Sequence, residues 1–137
     1  MATITANITL NTDITSYSVN ESMVMKKLGS TVGLENATGI ATKKFQATSA
    51  VAVIEQDEIT DSKASKVYMR NTGSSKENFF HVAINASAAA DTTTETIGRL
   101  YGGDWMFFPW KGGDDKDIDI NAYDATETTL EYTVFYE

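Results

Sequence analysis

Ala2-Thr3-Ile4-Thr5-Ala6-Asn7-Ile8-Thr9-Leu10 alternates apolar and polar side chains over nine residues. Successive side chains of a strand point to opposite faces, whereas an amphipathic helix would place its apolar positions three and four apart. The stretch therefore predicts a strand with one apolar face and one Thr/Asn face.

Working outward, the same short-period signature recurs at Tyr17–Val19, Met23–Lys27, Gly39–Phe45, Ala50–Ile54, Lys66–Asn71 and Phe79–Ile84. It continues at Thr94–Leu100, Trp105–Trp110, Asp117–Tyr123 and Thr128–Tyr136. Turn-forming residues separate the segments at Asn71-Thr72-Gly73-Ser74, Tyr101-Gly102-Gly103-Asp104, Lys111-Gly112-Gly113-Asp114 and Asp124-Ala125. The rival helix, Ala83 to Ala90, is short and interrupted by Asn85 and Ser87, so a loop is the better reading there. Short strands at regular spacing predict an all-β fold, an antiparallel β-sandwich of jelly-roll type.

A chain of 137 residues is long enough for one two-layer core, and one domain over 1–137 is expected. Residues 66–137 hold both Trp and every Tyr except Tyr17, whereas residues 1–40 are rich in Thr, Ser, Asn and Gly. The first part can be an early sheet of the sandwich, or a segment that orders against a neighbour. Residues 1–15 are read as an arm or edge strand. No cysteine is present, which removes disulfides and thiolate metal sites and favours a reducing compartment. MATITANITL has neither a basic leader nor a long apolar core, and AVAVI at Ala50–Ile54 is only strand-length, so a soluble, unexported chain is expected without a membrane partner.

The net charge is −8. Residues 1–90 are balanced, with eight acidic and eight basic side chains, while residues 91–137 carry eleven acidic and three basic. Nucleic-acid binding needs the opposite sign, because neutralised phosphates supply most of its affinity. Solubility is the simpler account of the acidity.

Catalytic signals are weak. His81 is the sole histidine and sits in Phe79-Phe80-His81-Val82, with no nucleophile elbow and no Cys in the chain. A packed or rim histidine is the simpler reading. Asp115, Asp117, Asp119 and Asn121 recur at every second position, as a calcium loop would begin. An EF-hand needs Gly at its sixth position and Glu at its twelfth, and here these are Ile120 and Thr126. The run reads better as a strand with Ile118 and Ile120 inward and its carboxylates toward water. A glycosidase needs two carboxylates correctly spaced, and none of the many present stands out as a pair. No enzyme, cofactor or metal is expected.

The strongest single feature is Trp105-Met106-Phe107-Phe108-Pro109-Trp110. On a strand, Trp105, Phe107 and Pro109 face one way, and Met106, Phe108 and Trp110 the other. Such a strand has to be covered on both faces, and Pro109 places it at an edge or near its end. Core packing covers one face; a second layer, a partner or a ligand must cover the other. Trp105, Phe107, Phe108 and Trp110 are the expected interface anchors.

From Lys66 onward, KVYMRNTG, IGRLYGGDWMFFPW, DIDINAY and LEYTVFYE follow in order. This half of the chain resembles small β-sandwich virion proteins of tailed bacteriophages, particularly marine ones. In them a leucine and a Gly-acid turn, here Leu100, Gly103 and Asp104, precede an aromatic strand with proline, here Pro109. The resemblance implies a virion protein, assembled in the host cytoplasm, of the capsid decoration or cement type. Its implied partners are copies of itself, as a homotrimer, and the major capsid protein. The alternative is a carbohydrate- or receptor-binding module of a tail or head fibre. Because the acidic turn departs from the calcium-loop pattern, calcium is expected to leave Tm nearly unchanged. A large rise in Tm with calcium, lost in Asp115→Asn/Asp117→Asn, is what a tight site would give instead.

Overall fold

Alternation of side chains between a shared interior and the outside builds two facing sheets. The computed structural model describes residues 4–14, 18–27, 29–30, 32–46, 49–59, 63–85, 96–112, 116–124 and 127–137. In chain order its strands are β1 (Thr5–Leu10), β2 (Val19–Val24), β3 (Asn36–Ala37), β4 (Ala41–Phe45), β5 (Val51–Ile54) and β6 (Ser65–Asn71). There follow β7 (Phe79–Ile84), β8 (Thr96–Tyr101), β9 (Trp105–Trp110), β10 (Ile118–Ala122) and β11 (Thr128–Tyr136). Among the described residues there is no helix.

One sheet runs β5-β10-β7-β8, and the other runs β3-β11-β6-β9 with β4 also paired to β11. All ladders are antiparallel. With β4 to β11 renamed as strands one to eight, the orders become 1-8-3-6 and 2-7-4-5. That interleaving is a jelly roll, two Greek keys folded into a sandwich. The fold expected from the alternation is the fold present.

Between the sheets lie Val67 and Met69 of β6, Leu130 and Val134 of β11, Phe80 and Val82 of β7, and Ile118 and Ile120 of β10, all essentially inaccessible. Phe45 meets Phe80 edge-on at 6.0 Å, closing the core on the β4 side.

β1 and β2 lie apart from this frame. They pair only with each other, in a two-stranded sheet. The expected Met23–Lys27 strand is absorbed into β2, whose pairing with β1 runs without a break from Val19 to Val24, and Tyr17 of the expected Tyr17–Val19 strand lies outside the described residues. The helix candidate Ala83–Ala90 begins inside β7, and its residues 86–90 lie outside the described residues.

In the expected strand Asp117–Tyr123 the carboxylates do not all face water. β10 does turn Ile118 and Ile120 inward, but Asp119 is only 6% exposed and does not face water. β10 lies between β5 and β7, and its outer side chains are flanked by those of both neighbours rather than by solvent. Asp117 is also engaged: its Oδ1 accepts from Gln56 N at 2.6 Å, and its carbonyl accepts from Asn85 N at 2.9 Å. Asp114 and Asp115 lie outside the described residues.

Two turns are locked together by Asn71, which is fully buried. Its Nδ2 donates to Leu100 O at 3.0 Å, and its Oδ1 accepts from Gly73 N at 2.9 Å. Its main chain donates to Asp104 O and accepts from Gly103 N. Gly103 has φ +91°, a left-handed conformation open to glycine. Gly102 is needed for space, since a Cβ there would collide with the main-chain oxygen of Ser75. Asn71→Ala removes one buried and one part-buried hydrogen bond and takes the amide donor from the Leu100 carbonyl, so it should cost about 2–4 kcal/mol in urea unfolding. Gly102→Ala should destabilise as well, whereas Gly98→Ala, with open space around the new methyl, should cost far less.

Candidate functional site

β9 is the edge strand of the five-stranded sheet, paired on one side to β6 from Ser65–Trp110 to Arg70–Trp105. Pro109 is tolerated here, where one row of ladder donors has no partner strand. The strand turns its two faces to different environments. Trp110 is buried in the core, and its Nε1 donates to Lys116 O at 2.8 Å. Phe108 and Met106 pack on the same core. Phe107 and Trp105 project from the other side, with Trp105 50% exposed. The four expected anchors therefore divide, Phe108 and Trp110 into the sandwich and Trp105 and Phe107 away from it.

Phe107 does not stand alone. Tyr68 is its partner across the β6–β9 ladder, and Phe135 meets it at 6.5 Å with the rings inclined at 61°. Arg70 lies opposite Trp105. Over this aromatic face lies the β1–β2 hairpin, and a groove of about 400 Å³ remains between them. Consecutive residues Ile4 to Ile8, Thr5 and Asn7 included, line one wall with Met25, and Tyr68, Phe107, Phe135 and Trp105 the other, with Arg70 as the charged group. The second layer that the two-faced aromatic strand demands is thus partly supplied by this chain's own hairpin.

Trp105 also borders a second groove of about 350 Å³, with Ile97, Arg99, Asp104 and Met106. This one lies along the open side of the sandwich, where β8 and β9 are the unpaired edges of the two sheets. The Tyr101–Asp104 turn joining them is tied by Asp104, whose Oδ2 accepts from Tyr101 N at 3.1 Å.

The outer face of the four-stranded sheet carries a polar row that the sequence reading did not assemble. Asn121 pairs with His81, and His81 with Arg99. His81, Asp119 and Asn121 are all buried, and each has a partner. Phe79 adjoins them: His81 meets it edge-on at 5.0 Å, Tyr123 stacks on it at 4.6 Å, and the Arg99 guanidinium lies 4.9 Å from its ring centre. The signal was available in the alternation, which puts Asp119 and Asn121 on one face of β10, but it was masked by the assumption that this face is wet. Among the described residues no three His, Asp or Glu side chains gather as metal ligands would. At the opposite edge, Lys44 Nζ donates to Glu127 Oε1 at 2.7 Å, and this exposed pair holds the ammonium pKa above its usual value.

No protein-family model matches the sequence, and no curated protein matches it. Among solved structures the chain is similar to the periplasmic inhibitor of g-type lysozyme, PliG, of Aeromonas hydrophila, at 14% identity and a TM-score of 0.38. That match covers 74% of this chain and 86% of the inhibitor.

The division of β9 is measurable. Trp110→Ala should cost about 3–5 kcal/mol of stability, the range for emptying a buried aromatic site. Trp105→Ala should cost about 1 kcal/mol or less, as for a surface position. Denaturant titration of the two variants checks both.

Proposed function

We propose that this chain is a non-enzymatic structural protein of a phage virion, a capsid decoration protein that associates as a homotrimer and binds the outer capsid lattice. One observation carries the reading: edge strand β9 presents Trp105 and Phe107 away from the core, beside Tyr68 and Phe135, on a sheet face that the chain covers only in part. Aromatic side chains in such a position are the kind that anchor protein interfaces. The jelly roll is in keeping with it, since viral capsid domains use this architecture, although lectin domains use it too.

Attachment would be multivalent. Each subunit contributes a modest apolar contact, and linking several in one oligomer raises the effective concentration of the rest. Of the former interface set, Trp105 and Phe107 take the contact role, while Phe108 and Trp110 hold β9 in place from beneath. The acidic excess of residues 91–137 would meet a basic patch on the shell, without Asp119, which is buried, and Asp117, whose carboxylate accepts from Gln56 N.

Sedimentation of the wild type at high micromolar concentration should show a trimer, and the protein should co-sediment with purified capsid shells. Phe107→Ala should weaken assembly by about 2 kcal/mol, roughly thirtyfold, with secondary structure and Tm measured on the same sample. A strictly monomeric protein that ignores shells would remove the decoration reading. Binding on a glycan array would then put the fibre-module alternative in its place.

A further inference from the structure

We infer that the β1–β2 hairpin is exchanged between copies of this chain, each copy laying its hairpin on the aromatic sheet face of the next. The inference rests on the self-association proposed above and names the segment that makes it.

The first ground is the pairing of the hairpin. β1 and β2 form a sheet of their own and share no ladder with either sheet of the sandwich. A lone two-stranded hairpin is marginally stable in water, so its hold on the molecule depends on burying one face. The register, with Ala6 opposite Met23, Ile8 opposite Glu21 and Leu10 opposite Val19, gathers five of the hairpin's apolar groups, with Glu21, on one side. Thr5, Asn7, Thr9, Asn20, Ser22 and Val24 occupy the other. Yet Leu10 on the apolar side is 55% exposed and Met23 45%. The sheet beneath is likewise incompletely covered, at Trp105 and along the groove. Two half-covered faces in each chain are what a second copy can complete.

Charge is the second ground, and it decides the occupant. The hairpin carries Asp13 and Glu21 and no cation among residues 4–14 and 18–25, while the receiving face offers Arg70 and Lys66. Glu21 lies on the apolar side of the hairpin, and Arg70 borders the groove. Among the described residues neither is in an ion pair within one chain. Exchange brings this unused pair together at the margin of an apolar contact. Because a hairpin meets a sheet, the contact is heterologous, and such contacts close into rings when the rotation permits.

The chain has no cysteine, so introduced thiols report contacts without background. Ala6→Cys and Tyr68→Cys, from opposite walls of the groove, are made as two single variants and as one double variant. Under mild oxidation an equal mixture of the single variants should give a disulfide-linked dimer containing one of each, identified by mass. The double variant should give covalent oligomers on a non-reducing gel. Ile8→Cys with Phe107→Cys repeats the measurement at a second pair, and circular dichroism with Tm confirms folding of every variant. If sedimentation shows oligomers but the double variants close within single chains, or neither pair links at all, exchange is overturned while self-association stands. If the wild type sediments as a monomer, the functional proposal falls and the exchange with it.

Discussion

The side-chain amide of Asn71 is held by two turns that are far apart in sequence. It donates to Leu100 at the end of β8 and accepts from Gly73 in the turn leaving β6, while its main chain is bonded to Gly103 and Asp104. β6 belongs to the five-stranded sheet and β8 to the four-stranded one, so this one residue joins the two layers at their shared end. A buried amide meets the desolvation cost of its polar atoms only when donor and acceptor are both engaged, as they are here. The chain has no disulfide, and this polar clasp sets how the hydrophobic faces of the two sheets come into register. The position of β9 follows from it, since β9 starts where Asp104 is clasped.

This explains why the most legible part of the sequence was the stretch from Lys66 to Trp110. Asn71-Thr72-Gly73 and Leu100 to Asp104 are conspicuous because each residue answers a backbone requirement. Gly102 leaves room for Ser75 O, Gly103 takes a positive φ, and Asp104 caps its own turn. The ranges of β7, β9 and β11 were readable to the residue, because β11 alternates and the apolar runs of β7 and β9 are bounded by polar and turn residues. Alternation reports which side a residue is on and not what lies over that side. Asp119 is buried rather than wet for this reason: the period of β10 is legible in the sequence, while its central place in the sheet is not. β3 was missed because two residues, Asn36 and Ala37, carry no period at all.

The candidate site was half legible. The two-faced character of Trp105–Trp110 and the edge position implied by Pro109 could be read from residue types. Which face met the core could not, since both carry bulky groups, and only the ladder with β6 settles it. The part played by the hairpin was hidden for a different reason. Ile4, Ala6 and Ile8 announce an apolar face, but nothing local says whether such a face meets its own chain or another.

β11 pairs with β3, β4 and β6, all of which precede it in the chain, and fills the middle of the larger sheet. On a ribosome, β6 and β4 therefore emerge well before the strand that separates them, with their inner edges open. Pairing of such sequence-distant strands requires closing long loops, which makes folding slow and leaves open edges exposed in the meantime. β4, with Lys43 and Lys44 side by side, and β6, with Lys66 and Arg70, meet that interval with cations, which disfavour edge-to-edge association. The larger sheet is thus completed by its centre rather than its rim, and these basic residues serve the unfinished chain as well as the finished one.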